Sequence, residues 1–321
     1  MNSLPEFAGT SKDTISARDL LAKLEDEISQ LILGKSAQIR LSLCCLIAEG
    51  HLLIEDIPGI GKTTLAKVLA QILGLKFTRI QCTSDMLPGD MLGVSVFEQK
   101  SGEFTFHEGP VFTQILLADE INRTTPKTQS ALLEAMEEKQ VSIEGETRPL
   151  PEPYFVVATQ NAREHSGTYP LPDSQLDRFL FRISIGYPGR EAEYQLLKSG
   201  GVTESLSQLK SLIGPQQVLN LQKIARRVRL ARNLIEYIQD ILDYTRTCGQ
   251  FVQGLSPRAG LSLARAAQSW AFMQGRKFVI PEDVQAVFPY LAGHRLQKKE
   301  SLRELGSDEL AQLIAAVPVP P

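Results

Sequence analysis

The chain reads as an α/β protein: a mostly parallel sheet sandwiched by helices, carrying two inserted β-hairpins and followed by an all-helical region. Three observations predict this. Short apolar runs alternate with helical periods through the first two hundred residues, the pattern of strand, crossover helix and parallel strand. A glycine loop ending in Lys-Thr lies directly between the first of those runs and a helix. Beyond the turn residues Tyr187-Pro188-Gly189-Arg190, the apolar spacing is helical. That turn divides the chain into an expected core, residues 1–188 with a helical segment at its start, and an expected helical domain, residues 189–321.

Taken in order, strands are predicted at Leu52–Glu55 and at residues 78–81, 115–118, 155–159 and 181–185. Helices are predicted at residues 63–73 and 127–139. The second follows Thr124-Thr125-Pro126, a capping residue with proline in the first turn, where its missing N–H costs nothing. Residues 94–106 read as a hairpin, with Val94, Val96, Phe104 and Phe106 around the turn Lys100-Ser101-Gly102. Residues 140–150 read as another, with Val141 and Ile143 alternating with polar neighbours before Glu144-Gly145-Glu146. Further on, Leu234, Ile235, Ile238, Ile241 and Leu242 share one helical face. Residues 257–274 form another helix, and Ile280-Pro281-Glu282-Asp283-Val284 opens a third, with proline and acids in its first turn. The terminal Val-Pro-Val-Pro-Pro reads as a frayed tail.

In Pro58-Gly59-Ile60-Gly61-Lys62-Thr63-Thr64, strand, glycine loop and helix follow one another as a nucleoside triphosphate cradle requires. Loop N–H groups and the helix N-terminus attract phosphate oxygens, the Lys62 ammonium reaches the terminal phosphates, and the Thr63 hydroxyl serves Mg²⁺. The full pattern, Gly-x-x-x-x-Gly-Lys-Ser/Thr, has Asp56 where its first glycine belongs. Asp tolerates left-handed backbone, so the turn is expected to survive the change. Hydrolysis needs a carboxylate at a strand end to hold hydrated Mg²⁺ and a second to handle the attacking water. Asp119 and Glu120, closing an apolar strand, supply them: Asp119 for the metal, Glu120 for the water. Asn161 closes Ala158-Thr159-Gln160-Asn161 at another strand end, which in a parallel sheet lies near the same phosphates. A strand-terminating asparagine in a turn is its plainer alternative.

A hydrophobic fraction of 43% against 22% charged residues excludes a disordered chain, and the apolar runs are too short for a membrane helix. Residues 1–13 lack the basic start and apolar centre of a secretory signal. Cys44, Cys45, Cys82 and Cys248 show neither metal-ligand spacing nor a disulfide framework, so a cytoplasmic protein without membrane insertion is expected. Charge is uneven: residues 1–200 hold 19 basic and 27 acidic side chains, residues 201–321 hold 15 and 10. The basic excess includes Arg226, Arg227, Arg229 and Arg232, which suits nucleic acid, an acidic partner or, more simply, a solvated helix face.

Longer runs narrow the reading. Ala118-Asp119-Glu120-Ile121-Asn122-Arg123, Pro126-Lys127-Thr128-Gln129-Ser130-Ala131-Leu132-Leu133-Glu134-Ala135-Met136-Glu137-Glu138, Ala158-Thr159-Gln160-Asn161, Gly167-Thr168-Tyr169-Pro170-Leu171-Pro172 and Gln175-Leu176-Asp177-Arg178-Phe179 together resemble the MoxR family of AAA+ ATPases. The likeness continues through Gly254-Leu255-Ser256-Pro257-Arg258-Ala259 and His294-Arg295. It implies an AAA+ P-loop NTPase core with two inserted hairpins and an all-α lid, using ATP and Mg²⁺. It also implies roles: Asn161 as sensor 1, Arg178 as the arginine finger of a neighbouring subunit's site, and Arg258 as sensor 2, serving its own nucleotide or a neighbour's. Ile32-Leu33-Gly34-Lys35 resembles the segment lining the adenine pocket, which puts Gly34 and Lys35 beside the nucleotide. Asp56 resembles a variant common within the family.

The resemblance further implies an ATP-hydrolysing homo-oligomeric ring, a hexamer, with a chaperone-like role on protein clients, often with a von Willebrand factor A domain partner. A lid hinged at residues 187–190 would give such a machine two states. Two other classes compete. A DNA-associated motor shares the inserted hairpins and draws on the basic C-terminal part, but Glu103, Glu144 and Glu146 outnumber Lys100 and Arg148 at the hairpin tips. A nucleotide-gated scaffold without useful turnover has less need of Asp119, Glu120, Asn161 and Arg178 together.

Overall fold

The computed structural model describes residues 11–100, 102–161, 167–199 and 209–319. Two helices, α1 (Ser11–Leu31) and α2 (Ser36–Ile47), precede the core. There follow β1 (Leu52–Glu55), α3 (Lys62–Ile72), β2 (Phe77–Gln81), α4 (Pro88–Leu92), β3 (Gly93–Glu98), β4 (Glu103–Glu108) and β5 (Ile115–Asp119). Next come α5 (Pro126–Glu138), β6 (Gln140–Ile143), β7 (Glu146–Pro149), β8 (Phe155–Gln160), α6 (Asp173–Leu176), β9 (Phe181–Ile183) and α7 (Arg190–Ser199). The remainder is helical: α8 (Pro215–Ala225), α9 (Arg232–Thr247), α10 (Pro257–Met273), α11 (Pro281–Ala292) and α12 (Ser307–Ala315).

The main sheet has the order β2-β5-β8-β1-β9, with every neighbouring pair parallel. Its central strands are buried on both faces, which is why Ile115-Leu116-Leu117-Ala118 is a continuous apolar run rather than an alternating one. Because all strands point one way, the loop after β1 and the ends of β5 and β8 gather at one edge. The inserts are antiparallel hairpins, β3–β4 and β6–β7, as expected; Ser101 of the first turn lies outside the described residues.

Two boundaries differ from expectation for physical reasons. The last strand stops at Ile183 instead of residue 185, because Ser184, Ile185 and Gly186 spend their polar groups on Asp56, Lys35 and Gln38 rather than on a strand partner. The tail is not wholly frayed: Val317 is buried in the core, and the last two residues lie outside the described ones.

One apolar cluster runs from Ala17 in α1 through β1 and β8 to Leu310 in α12 and on to Val317, so the N-terminal and C-terminal helices share a core. Gln222 Nε2 donates to Leu46 O at 2.8 Å within it. A second cluster covers the opposite sheet face beneath α5 and both hairpins. Half-buried ion pairs tie the helical part to β9 and the segment before it. Arg295 reaches Asp177 at 2.6 Å and Phe179 O at 2.7 Å, and Arg182 bridges Glu55 and Glu304.

Candidate functional site

The loop after β1 takes its shape from two glycines. Gly59 and Gly61 have φ of +83° and +93°, and a Cβ on either would meet open space, so backbone conformation alone demands glycine there. Gly61 caps α3, whose first turn carries no acid, leaving the helix N-terminus unopposed toward an anion. Lys62 is buried; its Nζ donates to Asp56 O and, at 3.1 Å, to both Gln160 O and Asn161 Oδ1. Burial pushes this ammonium down from its ordinary value, while Asp56, Asp119, Glu120 and Glu55 pull the other way. Thr63 and Thr64 follow in the same first turn, and Thr64 lines the adjoining cavity.

Asp56 corrects the expectation of a left-handed turn residue, because its backbone is not in that region. Its carboxylate accepts from Ser184 Oγ at 2.7 Å, Gly186 N at 2.7 Å and Ile57 N at 2.8 Å. Burial raises this carboxyl, but the hydrogen bonds from Gly186, Ser184, Ile57 and Ile185 outweigh it and hold it below the ordinary carboxylate value. The Asp56 charge is therefore spent on tying the loop to the segment after β9.

At the ends of β5 and β8 the acids are held from three sides. Asp119 Oδ1 accepts from Thr159 Oγ1 at 2.6 Å, and Oδ2 accepts from Arg79 at 2.7 Å. Glu120 sits at φ 58° and ψ 50°, a strained conformation for a side chain of its type. Its Oε1 accepts from Asn161 Nδ2 at 2.9 Å, and its Oε2 from Gln81 Nε2 and Arg123 Nη1, both at 3.0 Å. Lys62, Glu120 and Asn161 thus form one hydrogen-bonded group, with Asp119 beside it. Arg79, Gln81 and Thr159 escape the sequence reading of the site, and Arg123, there a candidate intersubunit contact without a firm role, pairs with Glu120. The signal lay in Arg79 and Gln81 alternating at the end of the strand that pairs with β5.

For Mg²⁺, the donor set is hard oxygen: the Thr63 hydroxyl and the Asp119 carboxylate. Among the described residues no cluster of three or more His, Cys, Asp or Glu forms a closed cage. Next to the loop lies a cavity of about 320 Å³ lined by Ile32, Lys35, Gly59, Gly61, Ile185 and Pro188 among others. Lys35 is buried and binds Ile185 O and Tyr187 O at 2.7 Å each, so it fixes the cavity wall. Gly34, at φ +71°, turns the chain into that wall, with its Cβ direction closed by Ala192.

Arg178 and Arg258 do not join this group. They line a second cavity of about 220 Å³ together with Ala48, Glu49, Gly50 and His51, the residues directly before β1. The glycine loop follows β1, and four strand residues separate the two ends by about 13 Å. Arg178 Nη1 donates to Leu133 O and pairs with Glu137, both at 2.8 Å, and Arg258 pairs with the same Glu137. Lys139, Arg226 and Arg265 border the cavity too, with Glu49 pairing Lys139 at 3.2 Å and also Arg226. The expected basic run is therefore partly consumed in ion pairs.

A parallel sheet with a glycine loop after β1, paired acids at the end of β5, an asparagine directly after β8 and a helical region beyond defines an AAA+ nucleotide-binding core with its lid. Residues 51–181 match the ATPase family associated with various cellular activities (AAA), and residues 243–313 match the AAA lid domain. The chain is 42% identical to Chaperone MoxR1 of Mycobacterium tuberculosis (strain ATCC 25618 / H37Rv) over 279 residues, 84% of this chain and 74% of that one. It is also 42% identical to YeaC, an uncharacterized protein of Bacillus subtilis (strain 168), over 304 residues, 94% and 95% of the two chains. A solved structure of a Cytophaga hutchinsonii ATCC 33406 protein described as an ATPase superposes with a TM-score of 0.87 at 32% identity, covering 96% and 97%. The chain belongs to the MoxR family of AAA+ ATPases. Among the described residues no helix is long and apolar enough to cross a membrane.

Proposed function

We propose that this chain is the subunit of a cytoplasmic homo-oligomeric ring, a hexamer, that hydrolyses ATP to remodel or activate protein partners, with a von Willebrand factor A domain protein among the candidates. Lys62 and the loop N–H groups bind the triphosphate, and the cavity at Ile32, Gly34 and Lys35 takes the adenine. Thr63 and, through water, Asp119 would hold Mg²⁺, which would supply charge neutralisation to the bound triphosphate. Glu120 accepts the proton of the attacking water, and Asn161 orients that water or the γ-phosphate. Arg178 and Arg258 act on the nucleotide of the neighbouring subunit, where their planar cations meet charge developing on the transferred phosphoryl group.

The observation that carries this reading is the separation of the two arginines from Lys62 by the length of β1. A site divided between opposite ends of one strand is completed by a head-to-tail neighbour, and such contacts close into rings. Mixing Arg178→Ala with Glu120→Gln subunits tests it. Each variant alone is expected to be slow, and mixtures to regain ATPase activity at interfaces that pair an intact Glu120 with an intact Arg178. Absence of recovery at every ratio refutes action between subunits. Capture with the Glu120→Gln protein plus ATP then identifies clients, and recovery of DNA in place of protein favours the motor reading.

A further inference from the structure

The two arginines come from different parts of the chain, yet one carboxylate lies between them. Glu137, at the end of α5, pairs with Arg178 Nη1 through Oε2 at 2.8 Å and accepts a hydrogen bond from Arg258 Nη2 through Oε1. The other contact of Arg178, to Leu133 O, also uses Nη1 and also belongs to α5, so that among the described residues Nη2 is left for an incoming anion. The last turn of α5 is itself anchored, since His51 Nε2 bonds Met136 O at 3.1 Å inside the core. Asp177 adds a parallel link: it accepts from Ser256 Oγ at 3.2 Å and from Arg295 Nε at 2.6 Å, joining the residue before Arg178 to the cap two residues before Arg258.

Without Glu137, two guanidiniums with Arg265 behind them would face one cavity and repel. Each would also keep the rotamer freedom of a long side chain, to be lost only on meeting phosphate. A carboxylate that binds both through separate oxygens spaces them as an anion with several oxygens would.

We propose that Glu137 is a positioning residue for hydrolysis: it holds Arg178 and Arg258 as a preformed cation pair, so that a neighbouring subunit's γ-phosphate meets both at once. This rests on the reading that the two arginines act between subunits. It assigns Glu137 no contact with nucleotide.

The test is Glu137→Gln, which keeps shape and loses charge. The expected result is a kcat lowered about tenfold with KM for ATP, thermal midpoint and oligomeric state unchanged, since the nucleotide cradle is at the other end of β1. In an Arg178→Ala, Arg258→Ala background the same change is expected to lower the residual rate less than twofold, because Glu137 acts through the two arginines. Wild-type kcat in Glu137→Gln, or an equal loss in both backgrounds, overturns the proposal, and so does a rate above wild type, which would make Glu137 a brake. Arg178→Ala with full activity would remove the underlying reading itself. Arg178→Ala inactive beside a fully active Glu137→Gln removes only the role of Glu137.

Discussion

Replacing Asp56 with glycine restores the full phosphate-loop pattern, and the structure predicts that the restored pattern is worse. The carboxylate accepts three hydrogen bonds of 2.7–2.8 Å, two of them from Ser184 and Gly186, about 130 positions away in the chain. Hydrogen bonds to a charged group contribute roughly 1.5–3 kcal/mol each. Water replaces part of that at a site opening on the nucleotide cavity, so a net loss of about 2–4 kcal/mol is expected. Asp56 is not in left-handed backbone, so glycine gains nothing there and adds about 0.5–1 kcal/mol of unfolded-state entropy. For a chain of 321 residues, at about 2 cal/mol/K per residue, each kcal/mol moves Tm by roughly 1.5 °C. Asp56→Gly should therefore melt about 4–7.5 °C below wild type in scanning calorimetry. Its ATP affinity should also fall, because Ile185, freed with its neighbours, lines the cavity beside the glycine loop. The sign with pH is fixed: a carboxyl held below its ordinary value stabilises above about pH 4 and loses that contribution as pH falls through its folded value. The gap between wild type and variant should shrink on acidification below pH 4. A Tm and ATP Kd equal to wild type at pH 7 would refute the reasoning.

Lys62→Ala should weaken ATP binding by about a hundredfold or more, since it removes the buried cation of the cradle; calorimetric titration with unchanged affinity would remove the phosphate assignment. Burial lowers two histidines, His51 to about 4 and His294 in the same direction. Their neutral forms are the folded ones, so stability is complete above about pH 6.5 and lost as pH falls toward 4, His51 alone contributing about 3 kcal/mol. Urea midpoints that stay level from pH 6.5 to 4.5 would contradict this.

How much of this was legible in the chain depends on range. The central strands β1, β5 and β8 were readable because a strand buried on both faces must be largely apolar, as Leu52-Leu53-Ile54, Ile115-Leu116-Leu117 and Phe155-Val156-Val157 are. The grouping of Lys62, Glu120 and Asn161 was readable because parallel strands bring their carboxyl ends to one edge, whatever the loops between them. Arg79 and Gln81 were within reach of the same rule and were overlooked, since a polar pair on a short strand resembles solvent-facing alternation.

The sequence by itself determined the class of fold, the nucleotide loop and the acids, because each is a local pattern: a run, a glycine at positive φ, a helix start. Only tertiary structure decided what Asp56 is for and on which side of the subunit Arg178 and Arg258 stand. Those answers depend on partners some 40 to 130 positions away, Glu137 and Gly186 among them. A carboxylate or guanidinium carries no local mark of the charge it will meet, so its role is set when packing closes the distance.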